Sequence, residues 1–151
     1  MSDRPMLPSG TPLAFLGELW ALEHALQTAS KKMAARIGVT GTQRFVIRML
    51  GQNPGLGAGE LAELLHDHPS TLTGVIQRLV EHGFVVRKSD PADRRRVLLD
   101  LTDAGRALDG MSNGTIESAV GAALARMSPD AVEQTHVVLK AVVEEIERLS
   151  K

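Results

Sequence analysis

The sequence predicts a mainly α-helical protein that carries one small β-hairpin. Three observations lead to this fold class. Apolar residues recur at helical spacing over most of the 151 residues. Two short β-rich runs, "FVVRKS" and "VLLDLT", stand on either side of "DPADRRR" and predict the strands of a hairpin. Two helical patterns joined by a short turn come directly before that hairpin, an order typical of a winged helix-turn-helix.

The N-terminal part of the chain predicts two helices. A stripe of apolar residues from about Leu13 to Ile37 indicates the first, and "GVTGT" ends it. Thr40 and Gln43 have the spacing of a capping box, so the second helix is predicted to begin there. Its apolar residues are Phe45, Val46, Met49 and Leu50. The Gly- and Pro-rich stretch "GQNPGLGAG" that follows is predicted to be a loop.

The next two segments, "GELAELLHD" and "STLTGVIQRLVEHG", predict the helix-turn-helix itself. The second of them has an apolar back formed by Leu72, Val75, Ile76, Leu79 and Val80. Its front is formed by Ser70, Thr71, Thr73, Gly74, Gln77 and Arg78. Such short hydrogen-bonding side chains suit a surface that contacts base edges. Gly83 is predicted to end this helix with a positive φ.

The predicted hairpin ends in the seven-residue loop "DPADRRR". A loop of this length that contains Pro91 is not a tight two-residue turn, so we expect it to project. Between Arg87 and Arg96 five basic residues stand against two acidic ones, although the formal net charge of the chain is −1. The positive charge is therefore concentrated at the hairpin tip.

The C-terminal third predicts two further helices. Thr102 is expected to cap a long helix whose apolar residues continue to Met127, and Ser128-Pro129-Asp130 is a start signal for the last helix. The long amphipathic helices at the two ends of the chain have no obvious partner inside the small middle region. The length of the chain predicts a single domain.

Composition excludes several classes of function. The chain has no cysteine, which rules out disulfides, thiol redox sensing and thiolate metal sites. Three Phe, one Trp and no Tyr are too few for a base-stacking surface of the single-strand type. Phosphate-binding loops and the signatures of hydrolases are missing, so no enzyme is predicted. With no signal peptide or membrane span in the sequence, we expect a cytoplasmic protein and interpret residues 1–12 as a flexible arm.

These features favour binding to double-stranded DNA. A recognition helix fits the major groove, which is about 12 Å wide, and hairpin arginines can enter the adjacent minor groove or contact phosphates. Arg94, Arg95 and Arg96 are the predicted wing contacts, and Asp93 is predicted to pair with an arginine and hold the tip in shape. The alternative interpretation is an ordinary solvated charged loop.

Several motifs resemble the MarR (multiple antibiotic resistance regulator) family of bacterial transcription factors. Asp93-x-Arg95-x-x-x-Leu99-x-Leu101-Thr102 is similar to the wing signature of that family, and "STLTGVIQRLVEHGFVVR" resembles its recognition helix and first wing strand. Thr40-x-x-Gln43 and Thr102-x-x-Gly105-Arg106 resemble the starts of its second and fifth helices. The resemblance covers nearly the whole chain.

The resemblance implies one MarR-like domain over residues 1–151. Residues 13–37 and 103–151 would supply dimerisation helices, and residues 40–102 a winged helix-turn-helix that binds DNA. It implies a homodimeric repressor of a pseudo-palindromic operator, relieved by an aromatic or phenolic small molecule. The implied DNA contacts are Ser70, Thr71, Thr73 and Gln77 to bases or phosphates, Arg78 to a phosphate, and Arg95 in the minor groove with Asp93 as its anchor.

Gly74 departs from the family pattern, in which a larger or basic residue often follows the threonine of the recognition helix. A glycine inside a helix costs about 1 kcal/mol of helix propensity relative to alanine. It allows close approach to DNA or removes a contact, and the sequence leaves both interpretations open. The operator sequence therefore does not carry over from relatives.

The resemblance also implies a pocket for a small-molecule ligand. The candidate residues for it are Trp20, His24, Arg48 and Met49, which could provide an aromatic wall, a switchable charge and an anion clamp. The favoured alternative places Trp20 and Met49 in the core and leaves His24 and Arg48 half-exposed.

A second set, His66, His68, Glu63 and His82, offers metal-ligand chemistry. Because the histidine pair lies at the turn entering the recognition helix, we expect no metal and no cofactor.

The sequence leaves two classes of function open. The favoured one is a dimeric transcriptional regulator with double-stranded DNA, a second copy of itself and a small-molecule effector as partners. The other is a dimeric winged-helix module that binds proteins and has lost strong DNA binding. The arginines at the tip count against the second, since such a module has no reason to keep them.

Overall fold

A computed structural model describes residues 8–65 and 69–150 of the chain, with the side chains of residues 69 and 70 outside that description. The chain divides into two compact units, Met1–Ser112 and Asn113–Lys151. The elements in chain order are α1 Pro12–Ile37, α2 Gly41–Gln52, β1 Leu56–Gly57, α3 Ala58–Leu65, α4 Pro69–Glu81, β2 Val85–Ser89, β3 Val97–Leu101, α5 Asp103–Asp109, α6 Ile116–Leu124 and α7 Pro129–Arg148.

The predicted fold class, mainly helical with a small β-hairpin, is confirmed. The helix-start signals are confirmed as well. The capping box at the start of α2 is complete, because the Thr40 side chain accepts from the Gln43 N–H and the Gln43 side chain accepts from the Thr40 N–H. Thr102 caps α5, and Ser128 caps α7 with Pro129 at the first helical position.

Two boundaries differ from the prediction. The stretch predicted as a loop contains β1, which pairs with β3 through Leu56↔Leu99 and Gly57↔Leu98, so the hairpin belongs to a three-stranded antiparallel sheet of order β1-β3-β2. A two-residue strand is too short to show a period of two in the sequence.

The predicted long fifth helix is wrong as a single element. α5 ends at Asp109, and α6 begins only after Thr115, which caps it. Between them Gly114 has a φ of 66°, a conformation that ends helices. Apolar residues continue at helical spacing on both sides of this break, so periodicity alone does not reveal it.

The core of the first unit lies between α2, α3, α4, the sheet and α5. The predicted apolar back of α4 packs into it, with Leu72, Ile76 and Leu79 buried and Val75 and Val80 partly buried. The other buried members are Val39, Val46, Ile47, Leu50, Leu61, Ala62, Val85, Leu99, Leu101 and Leu108. Phe45, predicted to lie on the apolar stripe of α2, is instead 43% exposed.

The recognition helix α4, the base of the wing and the start of α5 contact one another around Gly83 and Phe84. Gly83 ends α4 with a φ of 75°, as predicted, and the Gly83 and Phe84 N–H groups donate to Val80 O and Leu79 O in a Schellman motif. The Phe84 carbonyl accepts from the Thr102 N–H at 3.1 Å. A Cβ on Gly105 would lie 2.1 Å from that carbonyl oxygen, so only glycine fits at this contact. These bonds fix the base of the hairpin relative to α4.

Two arginines of α2 hold the end of α5. Arg44 is 2% exposed, and its guanidinium donates to the carbonyl oxygens of Leu108, Asp109 and Met111. Arg48 donates to Asp109 O at 3.1 Å and forms an ion pair with the Asp109 carboxylate at 2.6 Å. A positively charged side chain is stabilising at a helix C-terminus, where the carbonyls lack intrahelical donors.

The residues predicted for a ligand pocket have separate surroundings. Arg48 is occupied with Asp109, and Met49 packs against the core. Trp20 is 60% exposed, so the alternative interpretation, which places it in the core, is wrong for a single chain. His24 is exposed as well. The described helices include none that is long and apolar enough to cross a membrane.

Candidate nucleic-acid interface

The polar front of α4 is exposed, as the sequence predicts. Thr71, Thr73, Gly74, Gln77 and Arg78 all lie on the solvent side of the helix, opposite the buried leucines and isoleucine. The side chain of Ser70, a further predicted contact, lies outside the described residues. A Cβ on Gly74 would meet nothing within 4 Å, so the glycine leaves an open spot on this face and no packing demands it.

Gln77 is held by two neighbours on the same surface. Its Oε1 accepts from Arg87 Nη1 of β2 at 2.9 Å, and its Nε2 donates to Glu81 Oε1 at 2.8 Å. The amide is therefore oriented before any ligand arrives, and Arg87 is brought to the edge of α4. The sequence does not predict this role of Arg87, because a strand residue and a helix residue ten positions apart show no shared periodicity.

The wing has the predicted form. β2 and β3 pair from Val85↔Leu101 to Ser89↔Val97, and the seven residues 90–96 form the loop between them. The loop is closed at its base by the Asp90 N–H, which donates to Arg96 O at 3.0 Å. Asp90 Oδ1 also accepts from the Ala92 N–H at 2.8 Å.

Asp93 holds the tip in shape, but through the backbone. Its Oδ1 accepts from the Arg95 N–H at 3.0 Å, and its carbonyl accepts from the Arg96 N–H at 2.9 Å. Such a local bond between an aspartate side chain and the backbone two residues on stabilises a turn. The anchoring role predicted for Asp93 thus has a structural basis, although the contact is with a backbone N–H and not with an arginine side chain.

Arg94 and Arg95 extend from this fixed turn into solvent. Both are exposed. Within residues 8–65 and 69–150, no side chain or carbonyl is bonded to either guanidinium. Two fully charged groups on a loop of fixed shape form a local positive potential that is available to an anionic ligand.

Arg96 differs from the two arginines before it. Its Nη2 lies 2.6 Å from Glu60 Oε2 of α3, and its Nη1 lies 3.9 Å from Asp90 Oδ2. The hydrogen bond and the charge of Glu60 raise the pKa of Arg96 above its usual value. The bond from the Gly57 N–H, followed by the bond from Arg96, lowers the pKa of Glu60 below its usual value. The pair is therefore fully ionised at neutral pH.

The signal for the Glu60 contact is present in the sequence. Glu60 comes three residues after Gly57, which immediately precedes α3, and its Oε2 accepts from the Gly57 N–H at 2.7 Å. This is the spacing of a glutamate that caps the first turn of a helix. The bond to Arg96, 36 residues further on, has no such signal.

The predicted absence of a metal site concerns residues that are only partly described. In the part of the chain that the structure describes, no group of three His, Asp or Glu side chains could hold a metal ion. His66 and His68 lie outside that part.

The family model, the sequence and the fold each match known proteins. The model of the MarR family matches residues 39–97, which run from the start of α2 to the start of β3. The S. aureus MepR–DNA complex has the same fold, with a TM-score of 0.71 at 20% identity over 90% of this chain and 99% of that one. Residues 39–97 of this chain are a MarR-family segment.

Two proteins with related sequences differ in how much of their length this chain matches. The HTH-type transcriptional regulator TtmR of Methylorubrum extorquens is 35% identical over 61% of this chain, which spans 47% of that regulator. The HTH-type transcriptional repressor Rv2887 of Mycobacterium tuberculosis is 29% identical over 81% of this chain and 86% of its own length. Both relatives are named as regulators of transcription, which agrees with the prediction that this protein is not an enzyme.

Proposed function

We propose that this protein is a transcriptional regulator that binds double-stranded DNA through α4 and the β2–β3 wing. The observation that supports this most is the joint exposure of the α4 front and of Arg94 and Arg95 on a single unit braced at Gly83 and Gly105. α4 would enter the major groove with Thr71 and Thr73 towards base edges and Arg78 towards a phosphate. Arg95 would enter the minor groove, and Arg94 would contact a phosphate.

The proposed regulator acts as a homodimer. In α1 the side chains of Leu13 and Trp20, two turns apart on one face of the helix, are 59% and 60% exposed. In α7 the same holds for Val143 and Ile146, at 41% and 51%. Large apolar side chains grouped on a surface are typical of a protein interface. A second copy is the partner that the resemblance implies, and two-fold symmetry would pair two recognition helices with a pseudo-palindromic site.

Repression of an operator and its relief by an aromatic or phenolic effector belong to the same proposal. A ligand would have to bind the DNA-competent and DNA-incompetent forms with different affinity in order to release DNA. His24 is exposed on α1 within one chain, and Trp20 would meet such a ligand at the edge of the dimer interface, whereas Arg48 would have to exchange its bond to Asp109.

Selection of bound duplexes from a random-sequence pool tests the DNA-binding proposal. We expect an inverted repeat with half-site centres about 10 bp apart, one helical turn. If Arg78, Arg94 and Arg95 of two protomers replace counterions, log K should fall with log salt with a slope of about −5. Fluorescence anisotropy of the selected duplex measures this salt slope when the salt concentration is varied between about 50 and 200 mM. Weak binding without an enriched sequence would favour the protein-interaction module.

The dimer is tested by placing a charge on the apolar stripe of α7. Val143→Asp should convert a dimer into a monomer in sedimentation equilibrium. The dimer would bury the new carboxylate without a partner, and burying an unpaired charge strongly disfavours association. Gln134→Asp introduces the same charge nine residues earlier, half a turn around the helix, and should leave the mass unchanged. A wild-type mass of one chain would contradict the homodimer directly.

A further inference from the structure

Side-chain bonds connect the wing to both helices of the helix-turn-helix: Arg87 of β2 bonds Gln77 of α4, and the wing loop reaches α3. Arg96, the last residue of the loop, reaches Glu60 of α3 at 2.6 Å, and the same Glu60 oxygen accepts the Gly57 N–H at 2.7 Å. Gly57 is part of β1, which pairs with β3 of the wing. The Arg96–Glu60 bridge and the β1–β3 pairing therefore both hold β3 close to the loop.

The other contacts of Arg96 lie within the loop itself. Its carbonyl accepts from the Asp90 N–H, its own N–H donates to Asp93 O, and its guanidinium lies 3.9 Å from the Asp90 carboxylate. Both side-chain partners are acidic, and a phosphate would have to compete with them for the same guanidinium. Arg94 and Arg95, in contrast, have no bonded partner for their guanidinium groups among the described residues.

From this arrangement we infer that Arg96 is a positioning residue, and that its bridge to Glu60 sets the direction of the wing before DNA is bound. The inference rests on the proposed DNA-binding function, and it divides the three consecutive arginines by role. Arg94 and Arg95 contact DNA, while Arg96 holds the loop that presents them. The wing is then preorganised, which reduces the entropy lost on binding.

The variant Glu60→Gln distinguishes a positioning role from a purely electrostatic effect, because the two explanations predict opposite changes in DNA affinity. Glutamine keeps the acceptor for the Gly57 N–H at the start of α3 but removes the charge that holds Arg96. If the bridge had no positioning role, removing an acid near the DNA and freeing Arg96 would strengthen binding. If the bridge directs the wing, binding weakens, by about threefold per wing for an exposed ion pair.

The orientation of the wing can be measured without DNA. Since the chain has no cysteine, Ala92→Cys at the exposed tip gives a single site for a spin label. We expect faster label motion in both Glu60→Gln and Arg96→Ala than in the parent, and no further change when the two are combined. Glu63→Gln removes the same charge from the same helix and is the matched control.

In the chain without the label, Arg96→Ala should weaken operator binding about threefold per wing with an unchanged salt slope, since the guanidinium contacts no phosphate. Arg96→Lys should recover part of the loss. Tighter binding by Glu60→Gln, a lower salt slope for Arg96→Ala, or label motion equal to that of Glu63→Gln would overturn the inference. If the wild type binds no duplex, the proposed function fails, yet the label still decides whether the bridge directs the wing.

Discussion

Arg44→Ala should lower the free energy of unfolding by about 3–5 kcal/mol, because it removes hydrogen bonds from a buried charged group, which contribute about 1.5–3 kcal/mol each. The guanidinium is 2% exposed and donates to three carbonyl groups at the end of α5. Alanine would remove a donor from each of these carbonyls, of which the Leu108 carbonyl keeps the Met111 N–H and the Asp109 carbonyl keeps Arg48. It would also leave a cavity between α2 and α5.

Urea unfolding followed by circular dichroism measures this loss, and Arg48→Ala is the matched control. Arg48 lies one turn further along α2 and also bonds Asp109, but its side chain is 36% exposed. A half-exposed ion pair contributes roughly 1 kcal/mol or less, so this variant should remain close to the wild type. Equal losses in the two variants would show that burial of the Arg44 guanidinium is not the source of the stability.

The elements that the sequence predicts correctly are those in which local signals agree. In α4 the apolar period, the polar front and the positive φ of Gly83 all lie within fourteen positions, and the structure has each of them. The wing loop has the predicted bounds because Pro91 and the flanking β-rich runs restrict the chain on both sides. Local propensity and tertiary packing point to the same structure at these positions.

The features that escape prediction depend on partners distant in sequence. Arg44 lies in the core because the end of α5, more than sixty residues away, offers carbonyls that need a donor. Phe45, its apolar neighbour, is largely exposed, which is the reverse of what residue type alone suggests. The difference between Arg96 and the other two tip arginines also depends on a distant partner, since only the folded chain places Glu60 beside Arg96.

Arg95→Ala should weaken binding to the selected operator by at least about 1 kcal/mol, roughly fivefold, and reduce the salt slope by about 0.9 for each lost ionic contact. The physical reason is that Arg95 is presented by a turn that Asp93 fixes through the Arg95 N–H, so the guanidinium reaches the groove from a rigid position. Alanine keeps that backbone bond. Because the side chain has no bonded partner in the described part of the chain, the melting temperature should not change.

Arg94→Ala and Arg126→Ala complete this experiment. Arg94 adjoins Arg95 on the same tip, and its loss should lower affinity and salt slope in the manner of a phosphate contact, equally for all duplexes. Arg126 is exposed in the second unit, so its replacement removes the same charge outside the proposed interface. Loss of preference for the operator over other duplexes, found with Arg95→Ala alone, would assign minor-groove readout to Arg95. An unchanged operator Kd for Arg95→Ala would exclude the wing from DNA recognition and leave binding to α4.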